Sequence, residues 1–239
     1  MVIIILGKEM SNKFSIVVPT MWRFNLFADF LVKLVQVDAV GEIIIINNAM
    51  EAKPDHSIFA HPKIKMHDFK LNIFVNPAWN YGVSVAKYDN ICIMNDDVLF
   101  DANIFEYLKD QLHPGRFIVY SHSHSGLADQ KFQNDDVHSI GIVLHTPDIS
   151  LQEIGCLMFL KRLDYVNIPA GMDFFHGDTW LWDTMRLRFN QNYYIKNLRF
   201  YTPHQVTSNT IPDREFTYVE KDCRMYGAGM INFKNLLKL

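Results

Sequence analysis

The sequence predicts an α/β protein whose mostly parallel central sheet is flanked by helices on both faces. Short, continuously apolar segments rich in β-branched residues alternate with segments whose apolar residues recur at helical spacing. The pattern changes after about Asp110, which adds a smaller second region to this first half. We therefore expect one domain over residues 1–239, with a first half at about 14–110 and a second half and tail at about 111–239.

The first half alternates predicted strands with predicted helices. Strands are predicted at Phe14–Val18, which Pro19 ends, and at Glu42–Ile46, Ile64–Met66, Leu71–Val75 and Asn90–Met94. Helices are predicted at Phe24–Val37 and, despite Gly82, at Ala78–Lys87. The strand segments lack a polar alternation, as expected of parallel strands that are buried on both faces.

The second half is less regular. Strands are predicted at Phe117–Tyr120 and Ser139–His145, with the polar loop Ser121–Val137 between them. The apolar segment Ile154–Leu163 precedes a helix predicted at Asp178–Phe189, and the tail from Asn190 has no clear pattern.

Composition excludes several classes of protein. The chain has 239 residues, of which 49% are hydrophobic and 21% charged, so it can bury a sizeable core and is not of disordered composition. The net charge of −3 does not indicate a nucleic-acid partner. Residues 186–239 nevertheless carry nine Lys/Arg against four Asp/Glu, a balance of +5. This basic segment either contacts phosphates or a nucleic acid, or is simply a solvated surface.

Cysteine content and hydropathy predict a cytoplasmic protein. The three cysteines, Cys92, Cys156 and Cys223, are too few and too scattered to suggest a disulfide framework. The run Val2–Leu6 is too short for the apolar part of a signal peptide. No stretch approaches the roughly 18 apolar residues of a membrane span.

Polar residues follow three predicted strands where each strand ends. They are Pro19-Thr20, Asn47-Asn48 and Asn95-Asp96-Asp97. Because ligands of open parallel sheets bind beyond the carboxyl ends of the strands, these residues predict one site.

Asn95-Asp96-Asp97 predicts a metal site at this edge of the sheet. Adjacent carboxylates at the end of a buried strand repel each other and need a cation or solvent. Oxygen ligands suit Mg²⁺ or Mn²⁺, which bridge carboxylates to a diphosphate. The alternative is an acidic turn that caps the next helix.

Two further motifs carry open alternatives. Asp178, in His176-Gly177-Asp178, precedes a helix and is either its N-cap or a base that deprotonates an attacking hydroxyl. His204 follows an apolar run and is either a loop residue or a metal or phosphate contact. His122 and His124 have no Cys or acidic partner nearby, which argues against zinc.

Taken together, the motifs resemble those of GT-A-fold glycosyltransferases and are similar to the large family 2 of inverting enzymes, over roughly Phe14 to Gly227. The matching segments are Phe14-Ser-Ile-Val-Val-Pro-Thr20 with Arg23, Glu42–Asn48, Asn76-Pro-Ala-Trp-Asn80-Tyr-Gly82 with Ala86, Ile93-Met-Asn95-Asp96-Asp97-Val98, Gly155-Cys-Leu-Met-Phe-Leu-Lys-Arg162, Phe174-Phe-His-Gly-Asp178-Thr-Trp-Leu181 with Arg186, and His204 with Ser208.

The resemblance implies transfer of a sugar from a nucleotide-sugar donor, expected to be UDP-linked, to an acceptor hydroxyl with inversion. Asp178 would be the base, and Mn²⁺ or Mg²⁺ would be held by Asp97, Asp96 and His204. The residues expected to bind the donor are Pro19, Thr20, Arg23, Asn47, Asn48, Asn80, Asn95 and Asp96. The expected acceptor-side residues are Gly155, Trp180 and Arg186, although Trp180 and Trp182 are two apart on a helix and cannot both face one site.

Departures from the family pattern keep other functions open. Asn47-Asn48 replaces an Asp, Gly177 stands where Glu usually precedes the base, and Asn95 occupies the first DxD-type position. A sugar-1-phosphate nucleotidyltransferase would share the sheet and metal site but usually has a Gly-rich loop after the first strand, which this chain lacks. A non-catalytic sugar-nucleotide-binding module is the third alternative. The acceptor stays open among a glycan, a lipid carrier, a protein and a modified nucleic-acid base.

Overall fold

The computed structural model describes residues 12–121, 140–147, 150–151, 154–202 and 215–238, with side chains from 218 onward in the last range. His122, His124, His204, Ser208, the run Val2–Leu6 and nearly all of the loop Ser121–Val137 lie outside these ranges.

The described strands are β1 (Phe14–Thr20), β2 (Val40–Asn47), β3 (Ile64–Asp68), β4 (Asn90–Met94), β5 (Leu99–Phe100), β6 (Phe117–Val119), β7 (Gly141–Leu144), β8 (Leu157–Lys161), β9 (Asn192–Lys196) and β10 (Phe200–Tyr201). The described helices are α1 (Phe27–Leu34), α2 (Val75–Val85), α3 (Ile104–Leu108), α4 (Gly177–Phe189) and α5 (Glu215–Leu237).

Eight of these strands form one sheet in the order β3-β2-β1-β4-β8-β6-β9-β7, and β5 pairs with β10 separately. The strands β3, β2, β1 and β4 are mutually parallel. Strand β8 runs antiparallel to both β4 and β6, and β9 is parallel to β6. The predicted fold class, a Rossmann-like α/β fold with a mostly parallel sheet flanked by helices, is confirmed.

The sheet is buried on both faces, which explains the continuous apolar runs. In β1, Ile16 and Val18 contribute to the core on the side of α1 and α3, whereas Val17 points to the core beneath α2 and α4. In β2, Ile45 and Ile46 divide between the two sides in the same way. Successive side chains of a strand point to opposite faces, so a strand covered on both sides needs apolar residues at every position.

Several boundaries differ from the predictions, and two of the differences bear on the site. The strand predicted at Leu71–Val75 is wrong, because the chain turns there into α2 after Phe74, whose φ is 65°. Strand β1 does not stop before Pro19 but continues to Thr20 alongside β2. Proline fits there because β1 pairs with β4 only up to Val17, so no β4 carbonyl needs the missing N–H.

Helix α5, in the tail that the sequence left unassigned, is 23 residues long. It packs beside α4, and Met230 belongs to the core on that side of the sheet. Within the described ranges, no helix combines the length and apolarity needed to cross a membrane.

Candidate functional site

A cavity of about 350 Å³ lies at the carboxyl ends of β1 and β4; we call it the strand-end cavity. The predicted site residues that line it are Pro19, Thr20, Arg23, Asn48, Asn95, Asp96, Asp97, Gly155 and Asp178. Residues that were not among the predicted site residues also line it, among them Asn72, Phe74, Trp79, Phe174, Phe175 and His176. The fold therefore gathers strand ends and the loop before α4 around one space.

Thr20 connects the ends of β1 and β4. Its Oγ1 donates a 2.5 Å hydrogen bond to Oδ2 of Asp96 and accepts one from the Trp22 backbone N–H at 2.9 Å. This contact fixes the Asp96 carboxyl group at the end of β1, and the backbone N–H groups of Met21 and Asp96 also bond to it.

Burial perturbs both carboxyl groups of the acidic pair. It raises the pKa of Asp96 to about 6, with the neighbouring charge of Asp97 adding to the rise and the Thr20 hydrogen bond opposing it. Burial also raises the pKa of Asp97. Two half-buried carboxylates that repel each other form a site whose energy a cation would lower.

The donor atoms at this pair fit a hard divalent cation. Both side chains line the strand-end cavity and offer carboxylate oxygens, the ligands preferred by Mg²⁺ and Mn²⁺. Among the residues that the structure describes, no group of three His, Cys, Asp or Glu side chains could hold a metal. Two carboxylates suit an ion such as Mg²⁺ that takes its other ligands from water and substrate phosphates.

Asn47 is corrected from a cavity residue to a structural one. It is 1% exposed and absent from the cavity lining. Its Oδ1 accepts from Trp22 Nε1 at 2.7 Å, and its Nδ2 donates to Asp68 Oδ1 at 2.7 Å. Both ends of the amide are used to hold Trp22 and β3 in place. Asn48, in contrast, lines the cavity while its Oδ1 accepts from the Ile73 N–H at 3.2 Å.

Asn80 is corrected in the same way. Its Oδ1 accepts from Tyr165 Oη at 2.8 Å and from Ile168 N at 2.9 Å, and its Nδ2 donates to Ile168 O at 2.9 Å. The residue does not line the strand-end cavity. Its amide ties α2 to the segment at 165–168, and these bonds leave little capacity for a ligand.

Asp178 lies where two cavities meet. It lines the strand-end cavity and also a second cavity of about 510 Å³, which we call the α4 cavity. The α4 cavity is lined by His145, Pro147, Leu151, Ile154, Asp178, Thr179, Trp182, Asp183, Arg186 and Asn190. A carboxyl group in the wall between two cavities can contact a ligand in each.

The environment of Asp178 favours its neutral form. Burial raises its pKa, and the hydrogen bond from the Thr179 N–H, at 2.8 Å, and the charge of His176 oppose that rise. The start of α4 also favours a negative charge, but burial is the larger effect. The N-cap interpretation is wrong, because His176 is the N-cap of α4 and Asp178 is the second residue of the helix.

Two glycines allow the chain to approach closely around Asp178. A Cβ on Gly177 would lie 2.0 Å from Oδ1 of Asn76 and 2.9 Å from the Trp79 ring, so a larger residue would have to displace these side chains of α2. Gly177 stands where the family that the sequence resembles usually has glutamate, and this close contact explains the glycine. A Cβ on Gly155 would lie 3.0 Å from Oδ2 of Asp178, so the segment before β8 presses against the candidate base.

The expected acceptor-side tryptophan is also corrected. Trp180 is 4% exposed and lines neither cavity; its Nε1 donates to Val166 O at 3.2 Å and its ring meets Phe233. Trp182, two positions on, faces the α4 cavity instead. Arg186 lines that cavity too and pairs with Asp183 at 3.3 Å.

Comparisons with known proteins show likeness of fold. No protein-family model matches the chain. No curated protein sequence matches it either. Among solved structures, the chain is similar to S. aureus TarS 1–349, with a TM-score of 0.56 and 11% identity over 80% of this chain and 60% of that one. The same TarS fragment in complex with UDP-GlcNAc matches with a TM-score of 0.52 and 13% identity.

A nucleotidyl transferase from Methanothermobacter is similar as well, with a TM-score of 0.52 and 13% identity over 77% of this chain and 87% of that one. The chain spans only 36% of the longer TarS structure that it matches. At such low identity these likenesses concern the fold alone.

Proposed function

We propose that the chain is a metal-dependent glycosyltransferase of the inverting, family 2 type. The observation that carries this proposal is the position of Asp178 between the strand-end cavity, which contains Asp96 and Asp97, and the α4 cavity. A transferase needs a donor site and an acceptor site that share the reacting group, and this arrangement provides both. The likeness to TarS structures that contain UDP and UDP-GlcNAc supports a UDP-linked donor.

The donor occupies the strand-end cavity in this proposal. The residues that would contact it are Pro19, Thr20, Arg23, Asn48 and Asn95. Asp97, with Asp96 beside it, would hold Mn²⁺ or Mg²⁺, which when bound neutralises the charge of the departing diphosphate. The contact predicted between His204 and the metal or diphosphate stays a prediction, since His204 lies outside the described residues.

The acceptor enters from the α4 cavity, where Trp182 offers an aromatic face and Asp183, Arg186 and Asn190 offer polar groups. The acceptor hydroxyl gives its proton to the Asp178 carboxylate while its oxygen bonds to the anomeric carbon of the donor. The bond from that carbon to the diphosphate oxygen breaks, and the nucleoside diphosphate leaves from the opposite face. The raised pKa of Asp178 makes its ionised form a better proton acceptor.

A sugar-1-phosphate nucleotidyltransferase is the second candidate, because one similar structure is a nucleotidyl transferase that the chain covers to 87%. Such an enzyme would release pyrophosphate from a nucleoside triphosphate. The segment Pro19–Arg23, at the end of β1, has no glycine to wrap a triphosphate, which favours the glycosyltransferase. Assays of pyrophosphate release with UTP and a sugar 1-phosphate distinguish the two candidates.

Metal-dependent release of UDP from UDP-GlcNAc tests the proposal. With Mn²⁺, the wild-type protein should release UDP slowly to water and faster with its acceptor. Asp97→Ala and excess EDTA should both abolish the release, because the charge of the leaving diphosphate is then not neutralised. The matched control is Asp55→Ala, which removes an exposed carboxylate remote from the cavity lining.

Full activity of Asp97→Ala, or activity that survives EDTA, would contradict the assigned role of the metal. Pyrophosphate release from UTP, without UDP release from any UDP-sugar, would favour the nucleotidyltransferase instead.

A further inference from the structure

Asp222, on α5, is fully buried although it lies in the last fifth of the chain. Its carboxyl group accepts backbone hydrogen bonds from three consecutive residues of the loop before α4. Oδ1 accepts from Asp173 N at 3.0 Å, and Oδ2 accepts from Phe174 N and Phe175 N at 2.8 Å each. Successive N–H groups that converge on one anion form a compact and strong binding arrangement.

The loop that Asp222 holds leads directly to the candidate base. Phe174, Phe175 and His176 line the strand-end cavity, and His176 adopts a left-handed conformation, with φ of 61°, before α4 begins. The course of this short segment determines where the first turn of α4, and with it Asp178, is placed. A displacement of this loop would therefore also displace the Asp178 carboxyl group between the two cavities.

Helix α2 holds the same loop from its other side. The Asn76 N–H donates to Asp173 O at 3.0 Å, and Asn76 Nδ2 donates to Phe175 O at 2.9 Å. These bonds use loop carbonyls, whereas Asp222 uses loop N–H groups. Asn76 cannot replace Asp222, because in the absence of the Asp222 carboxylate three N–H groups of a half-buried loop would have no acceptor.

Helix α5 is anchored by other contacts as well. Met230 is in the core, Phe233 packs on Trp180, and Tyr226 Oη bonds to Asp183. Loss of the Asp222 carboxylate should therefore free the loop while most of α5 stays docked. This separation distinguishes a positioning role from a contribution to folding alone.

We propose that Asp222 is a positioning residue that places the base Asp178 by binding the backbone of residues 173–175. The inference rests on the proposed function, in which Asp178 is the base. Asp222 itself lines neither cavity. The carboxylate acts through the loop, so its removal should slow the chemical step more than it weakens donor binding.

Asp222→Asn tests this, since asparagine keeps the size but has one acceptor oxygen, so an NH₂ group faces at least one of the three loop N–H groups. With Mn²⁺ and UDP-GlcNAc, kcat for UDP release should fall about tenfold or more, while the Kd for UDP changes by less than about threefold, because the ligands on β1 and β4 are untouched. The matched control is Lys221→Ala, which removes only the partly exposed ion pair with Asp173, at 2.5 Å. It should keep kcat near the wild-type value.

Hydrogen exchange gives a readout that does not depend on activity. In the wild-type protein the amides of residues 173–175 should exchange as slowly as those of α5, a measurement that decides the point even if Asp222→Asn fails to fold. In Asp222→Asn at least one of these three amides should lose protection while the amides near Met230 keep it.

Wild-type exchange at the rate of an open loop, or unchanged protection in Asp222→Asn, would overturn the inference whatever the activity. Equal kcat for Asp222→Asn and Lys221→Ala would also overturn it. If the wild-type protein releases no UDP from any UDP-sugar, the proposed function fails instead, and exchange alone reports on the loop.

Discussion

Replacing Asp96 by asparagine is expected to stabilise the metal-free protein near neutral pH. Asp96 lies half-buried beside Asp97, and burial together with that neighbouring charge raises its pKa from 3.8 to about 6. An acid with a raised pKa binds its proton more tightly in the folded state than in the unfolded state. The wild-type protein should therefore lose stability as the pH rises from 3.8 through about 6, and it should not recover that stability at higher pH.

The magnitude follows from the size of the shift. One pKa unit corresponds to about 1.4 kcal/mol, so a rise from 3.8 to about 6 destabilises the folded state by up to roughly 3 kcal/mol at neutral pH. Asparagine carries no charge and can still accept the hydrogen bond from Thr20 Oγ1. The variant should gain most of that amount at neutral pH and almost none at a pH near 4.

Urea unfolding in EDTA, followed by tryptophan fluorescence, measures the free energy of unfolding of both proteins across this range. The exposed substitution Asp55→Asn is the control for a change of net charge. Added Mn²⁺ with UDP should stabilise the wild-type protein more than the variant, because binding to the folded state raises stability by mass action. A free-energy difference between variant and wild type that does not change with pH would refute the burial argument.

Three further substitutions separate chemistry from packing. Asp178→Asn should bind UDP and Mn²⁺ normally but lose transfer activity by about 10²–10⁴-fold, because asparagine cannot take the proton from the acceptor hydroxyl. Near-normal turnover of this variant with the true acceptor would rule out Asp178 as the base. Trp180→Ala should cost about 3–5 kcal/mol of unfolding free energy in urea melts because Trp180 is in the core, whereas Trp182→Ala should mainly raise the acceptor KM. A large stability loss confined to Trp182→Ala would reverse this assignment.

Local sequence was sufficient for the strands that build the site. β1, β2 and β4 are apolar on both faces, because parallel strands between two layers of helices need apolar side chains at every position. The acidic pair follows β4 directly, and parallel strands end at the same edge of a sheet. The sequence therefore placed Asp96, Asp97 and Thr20 near one another, and the structure shows all three lining one cavity.

The sequence could not decide the role of a polar or aromatic side chain whose partners are distant in the chain. Asn47, Asn48 and Asn80 have the same amide, yet Asn48 alone lines the strand-end cavity while the other two bond to buried structure. Trp180 and Trp182 are separated in the same way by the direction in which α4 turns. Only folding brings an amide to its partner, so its role depends on geometry rather than on local pattern.

The tail shows the same limit most clearly. The apolar residues of helix α5 form no strong stripe, so the sequence predicts no helix there, and its stability comes from contacts with α4 and with the core on that side of the sheet. Nothing near Asp222 in the sequence points to the N–H groups of residues 173–175, which lie almost 50 positions earlier. The sequence by itself determined the strands β1, β2 and β4 and the acidic pair that follows β4, since a strand buried on both faces is apolar at every position and polar residues mark its end. Tertiary structure decided which side chains face a ligand and which hold the framework, because hydrogen bonds between distant segments form only once the chain has packed.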